Sequence, residues 1–215
     1  MAGKVFFSVS MSLDGFIAPG SLGELMGQQW MELQQWIFPL RFFRENLKLG
    51  EGGEEGRDND IVRETFERTG ASVMGKRMFD AGEQMWPEEA PFHTPVFVVT
   101  HEKRDLWERP GGTIFHFVND GIETALDQAR EAAGDRDVRI AGGGATILEY
   151  VNAGLIHEFS LALAPVLFGS GIRLFEGVDA GRVALSPVRA TRCETPGGVE
   201  PTQRVTHLTY AVRER

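Results

Sequence analysis

Ile140-Ala141-Gly142-Gly143-Gly144-Ala145-Thr146-Ile147 is the stretch from which the rest of the chain can be read. Val138 to Ala141 form an apolar strand pattern, three glycines follow, and a helical pattern runs on through Val151. Glycines at such a turn leave no side chain between the backbone amides and an approaching ligand. The N–H groups of a helix start, with the helix dipole behind them, suit a phosphate. Glycine-rich turns between strand and helix also arise for backbone reasons alone, so the surrounding sequence has to decide. This is not the Rossmann fingerprint. Gly142-x-Gly144 would need a third glycine at position 147, where isoleucine stands, and the turn comes late in the chain rather than after the first strand of its unit.

A second glycine turn precedes it. Gly70-Ala71-Ser72-Val73-Met74-Gly75-Lys76-Arg77 follows the P-loop spacing until its last position, where Arg77 replaces the Ser or Thr that would hold magnesium. The residues between Gly70 and Gly75 read as a strand, not as a phosphate-wrapping loop. What remains is a glycine followed at once by two cations, Lys76 and Arg77, at a helix start. Basic groups there are unfavourable unless an anion compensates them. A phosphate ligand or solvent would both meet that demand.

Outward from these turns, strand and helix patterns alternate. Strands are expected at Lys4 to Ser10, Ser72 to Met74, Pro95 to Thr100, Ile114 to Val118, Val138 to Ala141, Glu158 to Pro165, Val183 to Glu194 and Val205 to Arg213. Helices are expected at Asn59 to Thr69, capped by Asp58 or Asn59, and at Lys76 to Ala81, Gly121 to Ala133 and Ala145 to Ala153. Glu24 to Leu47 is helical and rich in aromatics, with Pro39 breaking it near Phe38. Gly50 to Gly56 reads as a flexible acidic loop. This order predicts an α/β fold with a mixed sheet and antiparallel strands at the C-terminal end.

Composition narrows the function. At 215 residues the chain is one domain by length. Its 22 basic and 31 acidic residues give a net charge of −9, which argues against a nucleic-acid partner. Cys193, expected to be a small filler in a strand, is the only cysteine, which excludes an intrachain disulfide and cysteine-rich metal sites. The N-terminus runs directly into a strand pattern with no signal peptide, and no apolar run is long enough for a membrane span; a cytoplasmic protein is expected. His93, His101, His116, His157 and His207 show no metal-ligand spacing, and Phe168-Gly169-Ser170-Gly171 is not a nucleophile elbow.

Four segments in order carry a resemblance: Ser10-Met11-Ser12-Leu13-Asp14-Gly15-Phe16-Ile17-Ala18, Val73-Met74-Gly75-Lys76-Arg77-Met78-Phe79, Ile140 to Ala145, and Ala164-Pro165-Val166-Leu167-Phe168-Gly169-Ser170-Gly171-Ile172-Arg173-Leu174-Phe175. Together they are similar to the dihydrofolate reductase-like superfamily, and most of all to the reductase domain of riboflavin biosynthesis. The resemblance covers nearly the whole chain except an insertion from Pro19 to Gly56, which would cover the substrate site, pack on a second subunit or join the core. It implies a dihydrofolate reductase-like fold with a mostly parallel sheet of about eight strands, NADPH as cofactor, a homodimer, and hydride transfer to a small heterocyclic or phosphoribosylamino-pyrimidine-type substrate. No deaminase zinc motif accompanies it. A true dihydrofolate reductase and a non-catalytic NADP-binding sensor are the alternatives.

Residue by residue, the resemblance puts Ser10 and Ile17 at the nicotinamide. Gly75, Lys76 and Arg77, with Thr100 and His101, would lie at the adenosine phosphates, and Gly142, Gly143, Gly144, Ala145 and Thr146 at the pyrophosphate. Lys76 would hold a 2′-phosphate as a point charge, without the two-pronged geometry of arginine. Asp60 is the candidate catalytic acid, with Asp14 of the loop as the alternative. Asp58 and Asp60 would otherwise serve only to cap and charge-stabilise their helix.

Overall fold

The computed structural model describes residues 3–21, 27–192 and 205–214. Its framework is a nine-stranded sheet built of β1 (Val5–Ser12), β3 (Thr69–Gly75), β4 (Pro95–Val99), β5 (Trp107–Glu108), β6 (Ile114–Val118), β7 (Asp137–Gly142), β8 (Glu158–Ala164), β10 (Val183–Arg192) and β11 (Thr206–Glu214). The order across the sheet is β10-β11-β8-β1-β7-β3-β4-β6-β5. The six strands from β8 to β6 run parallel, while β11, β10 and the edge strand β5 are antiparallel to their neighbours. Against the eight or so strands expected, the ninth is the two-residue β5, too short to carry a period. A separate ribbon pairs β2 (Phe16–Ala18) with β9 (Ile172–Arg173).

Helices cover both faces. Val5 and Phe7 of β1, Val73 of β3 and Ile140 of β7 pack under α5 (Gly121–Ala133) and α6 (Gly144–Asn152), with Leu126 and Tyr150 fully buried among them. On the opposite face Phe79 of α4 (Lys76–Glu83) packs with Met74, Val96, Val98 and Phe115. The same face carries α3 (Arg57–Arg68), whose Arg68 lies 3.9 Å over the Phe6 ring. The alternation along β1 sorts its side chains: odd positions face α5 and α6, even positions face α3.

The segment between β2 and α3 joins the body. It forms α1 (Gln28–Gln34) and α2 (Arg41–Asn46), and Leu33, Trp36 and Leu40 enter a cluster with Val62, Ala162 and Phe168. Of its aromatics Trp36 joins this core, Phe42 and Phe43 pack partly buried against it, and Trp30 and Phe38 stand outside the cluster. The helix ends at Gln34, ahead of the break expected near Phe38, and residues 35–39 turn instead. Residues 24–26 of the expected helix lie outside the described residues, as does Cys193.

The end of the acidic loop is bonded to the body of the chain. Glu54 N donates to the Pro39 carbonyl at 2.7 Å, and Arg41 N donates to the Glu54 carbonyl at 2.9 Å. Arg41 also bridges Glu45 and Glu55. A proline carbonyl and an arginine backbone thus pair with the loop, which its composition alone does not show. The cap of α3 differs as well. Gly56 precedes the helix without a side-chain cap, and Asp58 and Asn59 are buried inside the first turn. Among the described residues no helix is long and apolar enough to cross a membrane.

Candidate functional site

The parallel strands deliver their C-terminal ends to one edge, where the two glycine turns meet. A Cβ placed on Gly75 would lie 2.2 Å from Thr146 Oγ1. One on Gly144 would lie 2.9 Å from Ile172 Cγ2 and 3.1 Å from Ile17 Cδ1. Ile17, Gly75, Gly142, Gly143, Gly144 and Thr146, all singled out by sequence, thus gather at one place. The Gly142–Gly143 peptide is cis. Gly143 brings no side-chain cap to α6, and a Cβ there would meet nothing within 4 Å. The first turn of α6 therefore receives no acceptor from a cap side chain, which leaves its N–H groups for a ligand such as a pyrophosphate. Ala145 is exposed beside them.

Lys76 begins α4 directly after Gly75, and it is not a bare cation. Its ammonium donates to Asp80 Oδ1 at 2.7 Å and lies 2.9 Å from Glu102 Oε2. The hydrogen bonds from Asp80 and then Glu102 raise its pKa further. Glu102 arrives from the turn after β4: Thr100 is buried, and its hydroxyl accepts from Glu102 N at 3.0 Å. His101 is exposed on that turn. Arg77 is exposed and donates to the Gly20 carbonyl at 2.9 Å, tying α4 to the segment after β2.

Three other sequence-selected residues have partners of their own. Ser10 is buried, its hydroxyl donating to Gln34 Oε1 at 2.9 Å and accepting from Trp36 Nε1 at 3.0 Å, so α1 and the turn after it cover the face on which a nicotinamide was expected. Asp14 anchors a turn. Its carboxylate accepts from Ser12 Oγ at 2.7 Å, Gly169 N at 2.7 Å and Phe168 N at 3.1 Å. The Ser12 hydroxyl most of all, opposed by partial desolvation and helped by the two backbone N–H groups, pulls its pKa to about 2. A carboxylate so held is ionised at neutral pH, and its oxygens are occupied by donors of its own loop and the 168–169 turn. Asp60 pairs with Arg63 three residues on, and its side chain is 44% exposed. It faces solvent because the first turn of α3 turns Asp58 and Asn59 inward.

The inward residues were missed. Asp58 Oδ1 and His207 Nε2 of β11 are 2.7 Å apart and both buried. The His207 ring packs edge-on to Trp36 with centroids 5.3 Å apart. Asn59 Oδ1 accepts from Phe42 N at 2.7 Å, joining α3 to α2. No sequence spacing connects positions 149 residues apart. Arg139, by contrast, left a visible signal, a charge within the apolar run of a central strand.

Residues 3–196 match the family model of the RibD C-terminal domain. Over 134 residues the chain is 30% identical to the uncharacterized protein YyaP of Bacillus subtilis (strain 168), covering 60% of this chain and 70% of that protein. A crystal structure of a protein provisionally assigned to riboflavin biosynthesis, from Shewanella sp. PV-4, superimposes with TM-score 0.62 at 21% identity, over 98% of this chain and 99% of that one. Dihydrofolate reductase from Enterococcus faecalis, complexed with NADP(H) and RAB-propyl, superimposes with TM-score 0.56 at 14% identity, over 99% and 98%. At such identities these two structures establish a common fold, the dihydrofolate reductase-like one.

Proposed function

The chain belongs to the RibD C-terminal domain family, and from that membership we propose that it is an NADPH-dependent reductase acting on a small heterocyclic substrate of the phosphoribosylamino-pyrimidine type. The family and the fold support a reductase-like function in riboflavin biosynthesis. The observation that carries the cofactor part is the start of α6 at Gly143, without a side-chain cap, where the turn at Gly75 and the Ile17 side chain converge. Gly143 to Thr146 would receive the pyrophosphate, Lys76 and Arg77 the adenosine phosphate, and Ile17 would pack on the nicotinamide. Bound NADPH would supply the hydride. The residues present fit that group with one condition: a 2′-phosphate must compete with Asp80 and Glu102 for the Lys76 ammonium.

The reduction also requires a proton. The buried Asp58–His207 pair packs on Trp36, whose indole N–H donates to Ser10 Oγ. That buried carboxylate on α3 is also the one observation favouring a true dihydrofolate reductase, and tight methotrexate binding would decide for it. We further propose a cytoplasmic homodimer, supported by the exposed Leu185 and Val188 on the outer strand β10. Light scattering at micromolar concentration reads the mass directly, with a value near twice 23.8 kDa expected.

The test is titration with NADPH and NADH, read by nicotinamide fluorescence and by melting temperature, since a ligand of the folded state stabilises it by mass action. NADPH binds more tightly than NADH, and Lys76→Ala removes the preference. Glu102→Gln frees Lys76 from one exposed partner and tightens NADPH about two- to five-fold, the worth of a surface ion pair. Binding of neither cofactor sinks the proposal. Binding without turnover over pyrimidine and pterin acceptors would make the protein a sensor instead.

A further inference from the structure

A cavity of about 330 Å³ lies at the other end of the sheet from the glycine turns, where α6 ends and β8 begins. Its apolar part comes from Ile156, Val183 and Val212, which belong to the core under α6 or pack against it. His157, Arg182 of the turn before β10 and Arg213 near the end of β11 line the rest, with Asn152 of the last helical turn. Among the described residues no carboxylate lines it, in a chain whose net charge is −9. Small-molecule sites occupy about 300–1,000 Å³, so the space suits a ligand of modest size.

The polar wall is held in place. Asn152 Nδ2 donates to the Gly177 carbonyl at 3.0 Å and its Oδ1 accepts from Asp179 N at 2.9 Å, which ties the loop before β10 to α6. Asp179 Oδ1 accepts from Gly181 N at 3.1 Å, and the Asp179 carbonyl accepts from Arg182 N at 3.0 Å. Arg182 thus leaves a locked turn. His157 Nδ1 accepts from Val5 N at 2.9 Å, so its neutral ring carries the proton on Nε2 and has a donor to spare. The two arginines are unanswered: both are exposed, and among the described residues neither has a carboxylate partner. Cations suit the negative end of a helix, but that end is already satisfied. The carbonyls of Glu149, Tyr150 and Val151 accept from the N–H groups of Ala153, Leu155 and Gly154.

We infer that this cavity is a second ligand site, which takes a small organic anion with an apolar body and one phosphate or carboxylate group. Ile156, Val183 and Val212 receive the body, and Arg182 and Arg213 the acidic group, for which the planar guanidinium fork is suited. An ion pair open to solvent is weak by itself. Burial of the apolar body therefore supplies the affinity, and the arginines select for charge. The site is separate from the cofactor cradle. α6 spans the distance between them, starting at Gly144 and ending at the cavity nine residues later, or about 14 Å away. None of the residues of the two glycine turns lines the cavity, so an anion binds there without NADPH and without the reductase reading.

The probes are naphthyl phosphate and naphthoate, with uncharged naphthol and inorganic phosphate as the two halves, titrated into the isotope-labelled full chain with NADPH in excess. The amide resonances of Arg182, Val183 and Val212 move, and those of Gly75 and Gly143 stay. At least one of the two organic anions binds about ten-fold or more tighter than naphthol and than inorganic phosphate. Naphthyl phosphate as the tighter anion marks the acidic group as a phosphate, and naphthoate marks it as a carboxylate. Arg182→Ala weakens the binding about ten-fold, the worth of one charge-assisted contact. Arg182→Lys weakens it less, and Arg213→Ala acts in the same direction as Arg182→Ala. Equal binding by parent and Arg182→Ala, or resonances moving only at the glycine turns, overturns the inference. So does binding of naphthol or inorganic phosphate as tight as that of the organic anions, or no binding of either anion. Failure of the parent to bind NADPH strikes the reductase reading alone and leaves the response at Arg182 to be read as before.

Discussion

At Asp14 both carboxylate oxygens are occupied by donors from its own loop and from the Phe168–Gly169 turn, so the group holds two loops together. Its folded-state pKa of about 2 lies below the ordinary 3.8. The contribution to stability is therefore complete above about pH 4 and is lost as the pH falls toward 2. In Asp14→Asn, the fall of melting temperature over that interval is shallower than in the parent, while the pH profile of activity above pH 5 keeps its shape. A profile that lost an acidic limb in the variant would identify Asp14 as a proton donor. Asp14 and Asp60 illustrate where residue-level reading stopped. The sequence showed acids in the right segments, but whether a carboxylate meets a substrate, a backbone N–H or an arginine depends on contacts such as Asp14 with Gly169, 155 residues away.

Elements were more legible because their periods are local. The bounds of α5 and β6 agree with the pattern read from the sequence, and those of β7 and α6 agree to within a residue or two. The two- and three-residue strands β2, β5 and β9 carry no period and were invisible. The glycine turn before α6 was legible as an element, and its function can be separated from its stability. Ala145 is the second residue of α6 and exposed. In Ala145→Glu, a carboxylate at the positive end of the helix dipole contributes about 0.3–1 kcal/mol. The unliganded protein then melts about 1–4 °C higher for a chain of this size. The same charge repels a pyrophosphate: two charges about 4 Å apart near a protein surface interact by on the order of 4 kcal/mol before screening. NADPH binding weakens about ten-fold or more. Stability and affinity moving in opposite directions mark a ligand site. A variant that melts higher and binds NADPH as before would show that the phosphates lie elsewhere.

For the whole molecule, the N-terminal strand is placed in the middle of the sheet, between β8 and β7, so the core closes only when distant parts of the chain meet. Arg68, at the end of α3, joins those parts. Its Nε lies 2.6 Å from Asp137 Oδ2 and its Nη1 2.7 Å from Glu158 Oε1, with its guanidinium over Phe6. Lys4 completes the arrangement: its backbone N donates to Asp137 and its ammonium to Glu158. One arginine thus connects α3, β1, β7 and β8. Arg68→Ala removes two charged hydrogen bonds and the ring contact but leaves Lys4 on both carboxylates, so the expected cost is about 2–4 kcal/mol. Melting temperature falls by roughly 4–16 °C at about 2–4 °C per kcal/mol. The sign of its pH dependence follows from Glu158. Burial pushes the Glu158 carboxyl up, but Lys4 and Arg68 outweigh it and hold the pKa below 4.5. The stabilisation is present above pH 4.5 and lost as the pH drops through the lowered value. The gap in melting temperature between parent and Arg68→Ala therefore narrows below pH 4.5. A gap constant with pH would assign the cost to the lost packing on Phe6 rather than to the charges.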